Sequence, residues 1–314
     1  MKLQGKRAII TGSSAGIGRS IALFMAKEGA KIVVNARGAA AIDNVVEEIR
    51  SAGGTAIGFA GAVDDENVAD ALVSCCVKGF GGVDIVINNA AIFGLESIGP
   101  VHNCPPDIWR QTFDVNIHGA FYLSRAAIGP MTEQGWGRII NASSYAGTGK
   151  LGGSAYPVSK AALIGLTRSM AADYGPYGVT VNAYNPEALT AMGDGGTNFD
   201  AYVGMLKHWE NRGMRKPEDT AYSMETSGPE AIAPWVAYLC TDEADNINGQ
   251  VFAVEGRRIA LVSTLEEDRI LFRDYKQYGP WSLDELSRMA PVAFRLTNAW
   301  PRRTGEDLER WKNS

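Results

Sequence analysis

The chain has 314 residues, 46% of them hydrophobic and 21% charged, with a formal net charge of −5. This is ordinary globular composition with material for a large core, and the acidic balance without a dense Lys/Arg block points away from nucleic acid as a partner. Three histidines (His102, His118, His208) outside any H-E-x-x-H pattern argue against a metal site; the four cysteines (Cys75, Cys76, Cys104, Cys240) have no C-x-x-C spacing, and the adjacent Cys75 and Cys76 read as buried thiols on a helix, which fits a reducing cytoplasm. The N-terminal basic residues Lys2, Lys6 and Arg7 lead into Ala8-Ile9-Ile10, a strand-sized run and not a signal core. No stretch approaches the roughly 20 apolar residues of a membrane span.

Short β-branched runs then alternate with helix-period segments. Strands are expected at Arg7–Thr11, Lys31–Asn35, Thr55–Gly61, Val83–Asn88, Arg138–Ser143, Val179–Tyr184 and Gln250–Val254. Several are apolar at nearly every residue, as parallel strands covered on both faces are. Ile42, Val45, Val46 and Ile49 repeat at helical spacing before the Gly53-Gly54 stop. The alternation predicts an α/β fold, a Rossmann-type doubly wound parallel sheet of about seven strands, over residues 1–256. A long excursion from Glu187 to about Gly228 breaks the rhythm and predicts a helical substrate lid. Residues 257–314 form a C-terminal extension too small for an independent domain; it carries a strand-like run, Arg258–Val262, and a capping box at Ser282 and Glu285.

The first strand enters Thr11-Gly12-Ser13-Ser14-Ala15-Gly16-Ile17-Gly18, then a helix. A pyrophosphate needs backbone N–H donors at a positive helix end with no Cβ in the way, which Gly12, Gly16 and Gly18 would allow. This T-G-x-x-x-G-x-G spacing, with Asn88-Asn89-Ala90-Ala91 after the fourth strand, resembles the short-chain dehydrogenase/reductase family over about the first 255 residues. The resemblance implies a nicotinamide cofactor held by Gly12, Ser14, Gly16, Ile17, Gly18, Val63, Asn89, Ala90, Pro186, Leu189 and Thr190, together with the catalytic pair named below. At the end of the second strand Ala36 stands where an acid would mark NAD, and Arg37 can face a 2′-phosphate; NADP(H) is favoured, with NAD(H) as the alternative. The family often has Asp at the Ala62 position, so that adenine contact is expected to be missing.

Tyr156-Pro157-Val158-Ser159-Lys160 opens a helix and sets Tyr156 and Lys160 one turn apart on one face. Carbonyl reduction leaves negative charge on oxygen that must be protonated, and a nearby ammonium is expected to lower the phenol pKa of Tyr156 and fit it as acid and base. For the serine that would bond the substrate oxygen, counting back from Tyr156 gives Ser143 and counting forward from the strand gives Ser144; the strand anchor is firmer, so Ser144 is chosen. Asn116 matches the helical asparagine that supports a water near the lysine in the family. Asn182-Ala183-Tyr184-Asn185-Pro186-Glu187-Ala188-Leu189-Thr190 resembles N-A-I-x-P-G-x-x-x-T, with Glu187 in place of glycine putting the local backbone in question.

The form Pro186-Glu187-Ala188-Leu189-Thr190-Ala191-Met192 and the later Gly228-Pro229-Glu230-Ala231 look like the (3R)-hydroxyacyl-CoA dehydrogenase branch. The resemblance implies a hydroxyacyl/ketoacyl thioester substrate, Arg212, Arg215 and Lys216 being candidates for coenzyme A phosphates. The lid aromatics (Phe199, Tyr202, Trp209) suit a second reading equally, a dehydrogenase of bulky cyclic or aromatic alcohols. A non-catalytic cofactor-binding regulator is a third, disfavoured by the retained tyrosine and lysine. Family resemblance also implies a homotetramer or homodimer.

Overall fold

The computed structural model describes residues 1–149, 152–188, 228–256, 258–262 and 280–294, with residues 204, 206, 207, 210, 211, 271 and 275–278. The strands are β1 (Arg7–Ile10), β2 (Lys31–Ala36), β3 (Thr55–Ala60), β4 (Ile85–Asn88), β5 (Gly137–Ala142), β6 (Val179–Glu187), β7 (Val251–Glu255) and β8 (Arg258–Leu261). They form one sheet in the order β3-β2-β1-β4-β5-β6-β7-β8. The first seven run parallel; β8 returns antiparallel to β7, pairing Phe252 with Leu261 and Glu255 with Arg258. The sheet therefore has eight strands, one more than the expected seven or so, and the last comes from the segment read as extension. The strand order reverses between β1 and β4, and such a switch point opens a crevice at the carboxyl ends of the strands.

Helices cover both faces. α1 (Gly16–Lys27), α2 (Ala39–Ser51) and α8 (Ala233–Leu239) belong to one side; α3 (Glu66–Phe80), α6 (Gly119–Glu133) and α7 (Ala155–Tyr174) belong to the other. The strand residues obey the period of two: Ile10, Ile32, Val34, Ile85, Ile87 and Ile140 fill the first core, while Ile9, Val33, Val86, Ile139 and Val181 fill the second. Ile42, Val45, Val46 and Ile49 are the buried face of α2, as their spacing predicts. Between α3 and α6 lie a short helix α4 (Leu95–Ile98) and α5 (Pro106–Phe113). The four cysteines are free; Cys76 and Cys240 are buried, whereas Cys75 and Cys104 are only half-buried.

The chain divides into two compact units, residues 1–262 and 263–314. In the second, a helix spans Leu283–Phe294. Its expected capping box is present: the Glu285 amide donates to Ser282 Oγ at 3.2 Å and the Ser282 amide to Glu285 Oε2 at 2.9 Å. Most of the expected lid, with Phe199, Tyr202, Trp209, Arg212, Arg215 and Lys216, lies outside the described residues. No helix among the described residues is long and apolar enough to cross a membrane, and no cluster of potential metal ligands occurs among them.

Candidate active site

Two loops meet at the switch point. After β1 the chain turns into α1 through Gly12 (φ +61°) and Gly16 (φ +55°), left-handed positions that a Cβ would strain. Gly18 is needed for space: a Cβ there would overlap the Gly12 carbonyl oxygen and the Asn89 side-chain nitrogen. The loop after β4 is tied to this turn. Thr11 Oγ1 accepts from the amides of Asn89 at 3.0 Å and Ala90 at 3.1 Å, and Asn89 Nδ2 donates to the carbonyls of Thr11 at 3.0 Å and Gly12 at 3.3 Å. The first-turn amides of α1, Gly16 to Gly18, have no carbonyl partner inside the helix, and the helix dipole is positive there. A bare cradle of this kind fits the pyrophosphate of a dinucleotide. Ser14 and Ile17 are half-buried in the same turn. Val63 is half-buried and packs on Gly119, where a Cβ would come 2.8 Å from its Cγ2. Arg37 is exposed immediately beyond Ala36, the last residue of β2.

The second half of the site is built on β5 and α7. Gly147 lets the turn after β5 approach α7, since a Cβ there would lie 2.7 Å from the Lys160 carbonyl carbon. The two adjacent serines part at this turn. Ser143 is buried and donates to the Lys160 carbonyl at 2.7 Å. Ser144 accepts from the Ala146 amide at 3.2 Å, and its hydroxyl lies close enough to the Tyr156 phenol to draw the phenol pKa down. The structure thus brings Ser144, and not Ser143, to the tyrosine.

Lys160 is buried and donates through Nζ to the Ala142 carbonyl at 2.7 Å, its nitrogen 5.7 Å from the centre of the Tyr156 ring. Burial brings the Lys160 pKa down to about 7. Burial also pushes the Tyr156 phenol up, and the neighbouring Ser144 hydroxyl works in the other direction. The lysine is expected to lower the phenol pKa, but desolvation dominates both groups and the phenol is raised, while Lys160 Nζ donates to the Ala142 carbonyl.

Asn116 sits in a five-residue π turn, Asp114–His118, between α5 and α6. That extra residue turns it inward, a frequent use of such bulges. Its Oδ1 accepts from the Ile92 amide at 2.8 Å, and its Nδ2 donates to the Ile92 carbonyl and Ser159 Oγ, both at 3.1 Å. Ser159 in turn donates to the Tyr156 carbonyl at 2.8 Å. Pro186 is half-buried, and β6 stays in the ladder through Glu187, paired with Glu255. The glutamate in place of glycine therefore continues the strand. Leu189 and Thr190 lie outside the described residues.

Phe93 at the tyrosine is not singled out by the sequence, and Leu206 reads there only as one of the large side chains of the long excursion. Phe93 lies 5.6 Å from Tyr156, centroid to centroid, and Leu206, from the long excursion, is buried in one cluster with Tyr156, Ile98 and Ala146. They give the tyrosine an apolar wall. The signal for Phe93 was its place three residues after Ala90; Leu206 had none beyond its polarity.

The family model for short chain dehydrogenase matches residues 6–195. The chain belongs to the short-chain dehydrogenase family. As a member, it is an NAD(P)-dependent oxidoreductase acting on CH–OH groups. Among curated relatives, this short-chain dehydrogenase is 33% identical over 296 residues to the hydroxyacyl-CoA dehydrogenase ChsB1 of Mycobacterium tuberculosis, covering 90% of this chain and 87% of the relative. It is 31% identical over 259 residues to the (2S)-[(R)-hydroxy(phenyl)methyl]succinyl-CoA dehydrogenase subunit BbsD of Thauera aromatica, covering 82% of this chain and 98% of that one. The crystal structure of a short chain dehydrogenase from Mycobacterium avium superposes with a TM-score of 0.75 at 30% identity, covering 94% of this chain and 96% of the other. These similarities place the chain in a hydroxyacyl-CoA dehydrogenase-like branch, in keeping with the resemblance read from sequence.

Proposed function

We propose that the protein interconverts a 3-ketoacyl and a (3R)-hydroxyacyl thioester with NADP(H), using Tyr156 as general acid and base. The observation that carries the acid–base assignment is the placement of Tyr156 and Lys160, both buried, one helical turn apart on α7, with Ser144 beside the phenol. When bound, the nicotinamide cofactor supplies or accepts the hydride. Gly12, Ser14, Gly16, Ile17, Gly18, Asn89 and Ala90 would hold its phosphates and ribose, Val63 its adenine side, and Pro186, Leu189 and Thr190 its nicotinamide end. The family resemblance assigns these roles, and the cradle at the switch point fits them.

In the reducing direction the substrate oxygen gains negative charge. The Tyr156 Oη gives it a proton while the Ser144 hydroxyl donates a hydrogen bond to the same atom. Lys160, with a pKa near neutrality, exchanges protons with solvent in the working pH range and restores the tyrosine. Asn116 ties the π turn to the backbone at Ile92 and to Ser159, which fixes the first turn of α7. Arg37, with no acidic side chain at Ala36, would pair with a 2′-phosphate.

The thioester reading rests on the two CoA-dehydrogenase relatives. The apolar wall of Phe93, Ile98 and Leu206 favours one second reading, reduction of bulky cyclic or aromatic ketones. Oxidation of NADPH and NADH against acetoacetyl-CoA, a longer 3-ketoacyl-CoA, a steroid ketone and an aryl diketone separates them. Turnover of thioesters with NADPH supports the first reading, and turnover of free cyclic ketones alone supports the second. Tyr156→Phe should reduce either activity by about 10²–10⁴-fold. Retained activity in that variant would refute the acid–base assignment.

A further inference from the structure

We propose that Tyr184 is a positioning residue for the cofactor: its phenol locks the Asn89 amide, and through it the glycine turn. Tyr184 stands in β6 where the family motif has an isoleucine. It is fully buried, and its hydroxyl donates to Asn89 Oδ1 at 3.1 Å. Burial raises its pKa, so the phenol keeps its proton and acts only as a donor.

Asn89 is the hub of the cradle. Its Nδ2 spans the carbonyls of Thr11 and Gly12, and it fills the space that Gly18 leaves without a Cβ. An amide has a carbonyl end and an NH₂ end, so its orientation is a choice between two states. With the nitrogen facing two carbonyls, the oxygen needs a donor on the opposite side. Tyr184 supplies it. An isoleucine there would leave that oxygen without this partner in a half-buried setting, and the flipped amide would set its oxygen against the Thr11 and Gly12 carbonyls. The hydroxyl therefore removes the wrong rotamer and holds Gly12 in its left-handed turn. β6 thereby reaches across the first core to the loop that receives the pyrophosphate, a link that neither the glycine motif nor the tyrosine–lysine pair provides.

The inference rests on the assignment of that loop as the cofactor cradle. Removing one such hydrogen bond is worth about 1 kcal/mol, roughly a fivefold change in an equilibrium constant. Tyr184→Phe keeps the ring and its packing. The expected result is a Kd for NADPH, followed by its fluorescence in the absence of substrate, raised about fivefold, with kcat within about twofold of the parent protein. Amide hydrogen exchange of residues 11–18 in the cofactor-free chain should speed up by a similar factor. Asn89→Ala should weaken binding too, and adding Tyr184→Phe to it should change little more, because the two act as one unit. A lowered melting temperature with unchanged NADPH affinity and unchanged loop exchange would reduce Tyr184 to a packing residue and overturn the proposal. Parent protein that bound neither NADPH nor NADH would overturn the cradle, and the lock with it.

Discussion

Replacing Lys160 with methionine should stabilise the cofactor-free protein near neutral pH while abolishing turnover. The lysine is buried, and its pKa falls from 10.5 to about 7 because the ammonium is desolvated. Over the interval between those values the unfolded chain binds a proton that the folded chain releases, so stability rises with pH across it. Below about pH 7 the full penalty applies. At roughly 1.4 kcal/mol per unit, a shift of this size corresponds to about 5 kcal/mol. Methionine has similar volume and no charge, but it forfeits the bond to the Ala142 carbonyl, an offset of about 1–3 kcal/mol. That offset is nearly the same at every pH and cancels when the difference between variants is compared across pH. Urea unfolding of both proteins at about pH 6 and about pH 9.5 isolates the ionisation. The parent protein should gain roughly 3 kcal/mol on the variant over that range. Parallel pH profiles would refute the reasoning and show that Lys160 stays charged or hydrated in the fold.

Ser144→Ala should lower kcat by about 10²-fold or more, whereas Ser143→Ala should keep kcat and lose about 1 kcal/mol of stability with its bond to the Lys160 carbonyl; steady-state rates and denaturant midpoints test the pair, and the reverse pattern would exchange their roles. Gly18→Ala should weaken NADPH binding more than about tenfold, because the new Cβ meets the Gly12 carbonyl and the Asn89 amide, neither of which yields without moving the cradle; fluorescence titration reads this directly. Arg37→Ala should raise the KM for NADPH about tenfold and leave that for NADH within about twofold; equal effects on both would remove the 2′-phosphate role.

Much of the fold was legible because its strands are apolar on both faces and its helices on one. Ile85–Asn88 is buried throughout, and α2 shows its four core residues at helical spacing. The edges were less legible. β6 was expected to stop at Tyr184, before Pro186, yet it runs to Glu187. Beyond Tyr184 its partner β5 has ended, so β6 pairs only with β7 and is locally an edge strand, where a proline is tolerated. β8 reads from sequence as a strand-like run, Arg258–Val262, but its mostly exposed residues give no burial pattern to show that it joins the sheet rather than lying in the extension.

The candidate site was legible as spacing, not as environment. The interval from Tyr156 to Lys160 fixes their shared helix face, but the depth of both groups depends on β5, on Phe93 and on Leu206 from distant parts of the chain. Tyr184 shows the same limit. As one aromatic residue within a strand it reads as core, and only the approach of β6 to the loop after β4 gives its hydroxyl a partner.

The two buried pKa shifts also set a direction for the chemistry. A phenol pushed above its ordinary value holds its proton at neutral pH, so Tyr156 is poised to donate. Oxidation of an alcohol needs the opposite state, a phenolate able to accept, and its population grows with pH below that raised value. Lys160 loses its own proton above about 7, so it gives the phenolate little help in the alkaline range. Tyr156 stays protonated across this range, so ketone reduction should decline only above about pH 7, where Lys160 no longer carries the proton that restores the tyrosine, while alcohol oxidation should rise steadily on the alkaline side. Measuring kcat in both directions between about pH 6 and about pH 10, with cofactor saturating, checks this. An oxidation rate that levels off near pH 7 would mean that the phenol titrates there in the working complex, and that a positive charge at the site outweighs the burial of Tyr156.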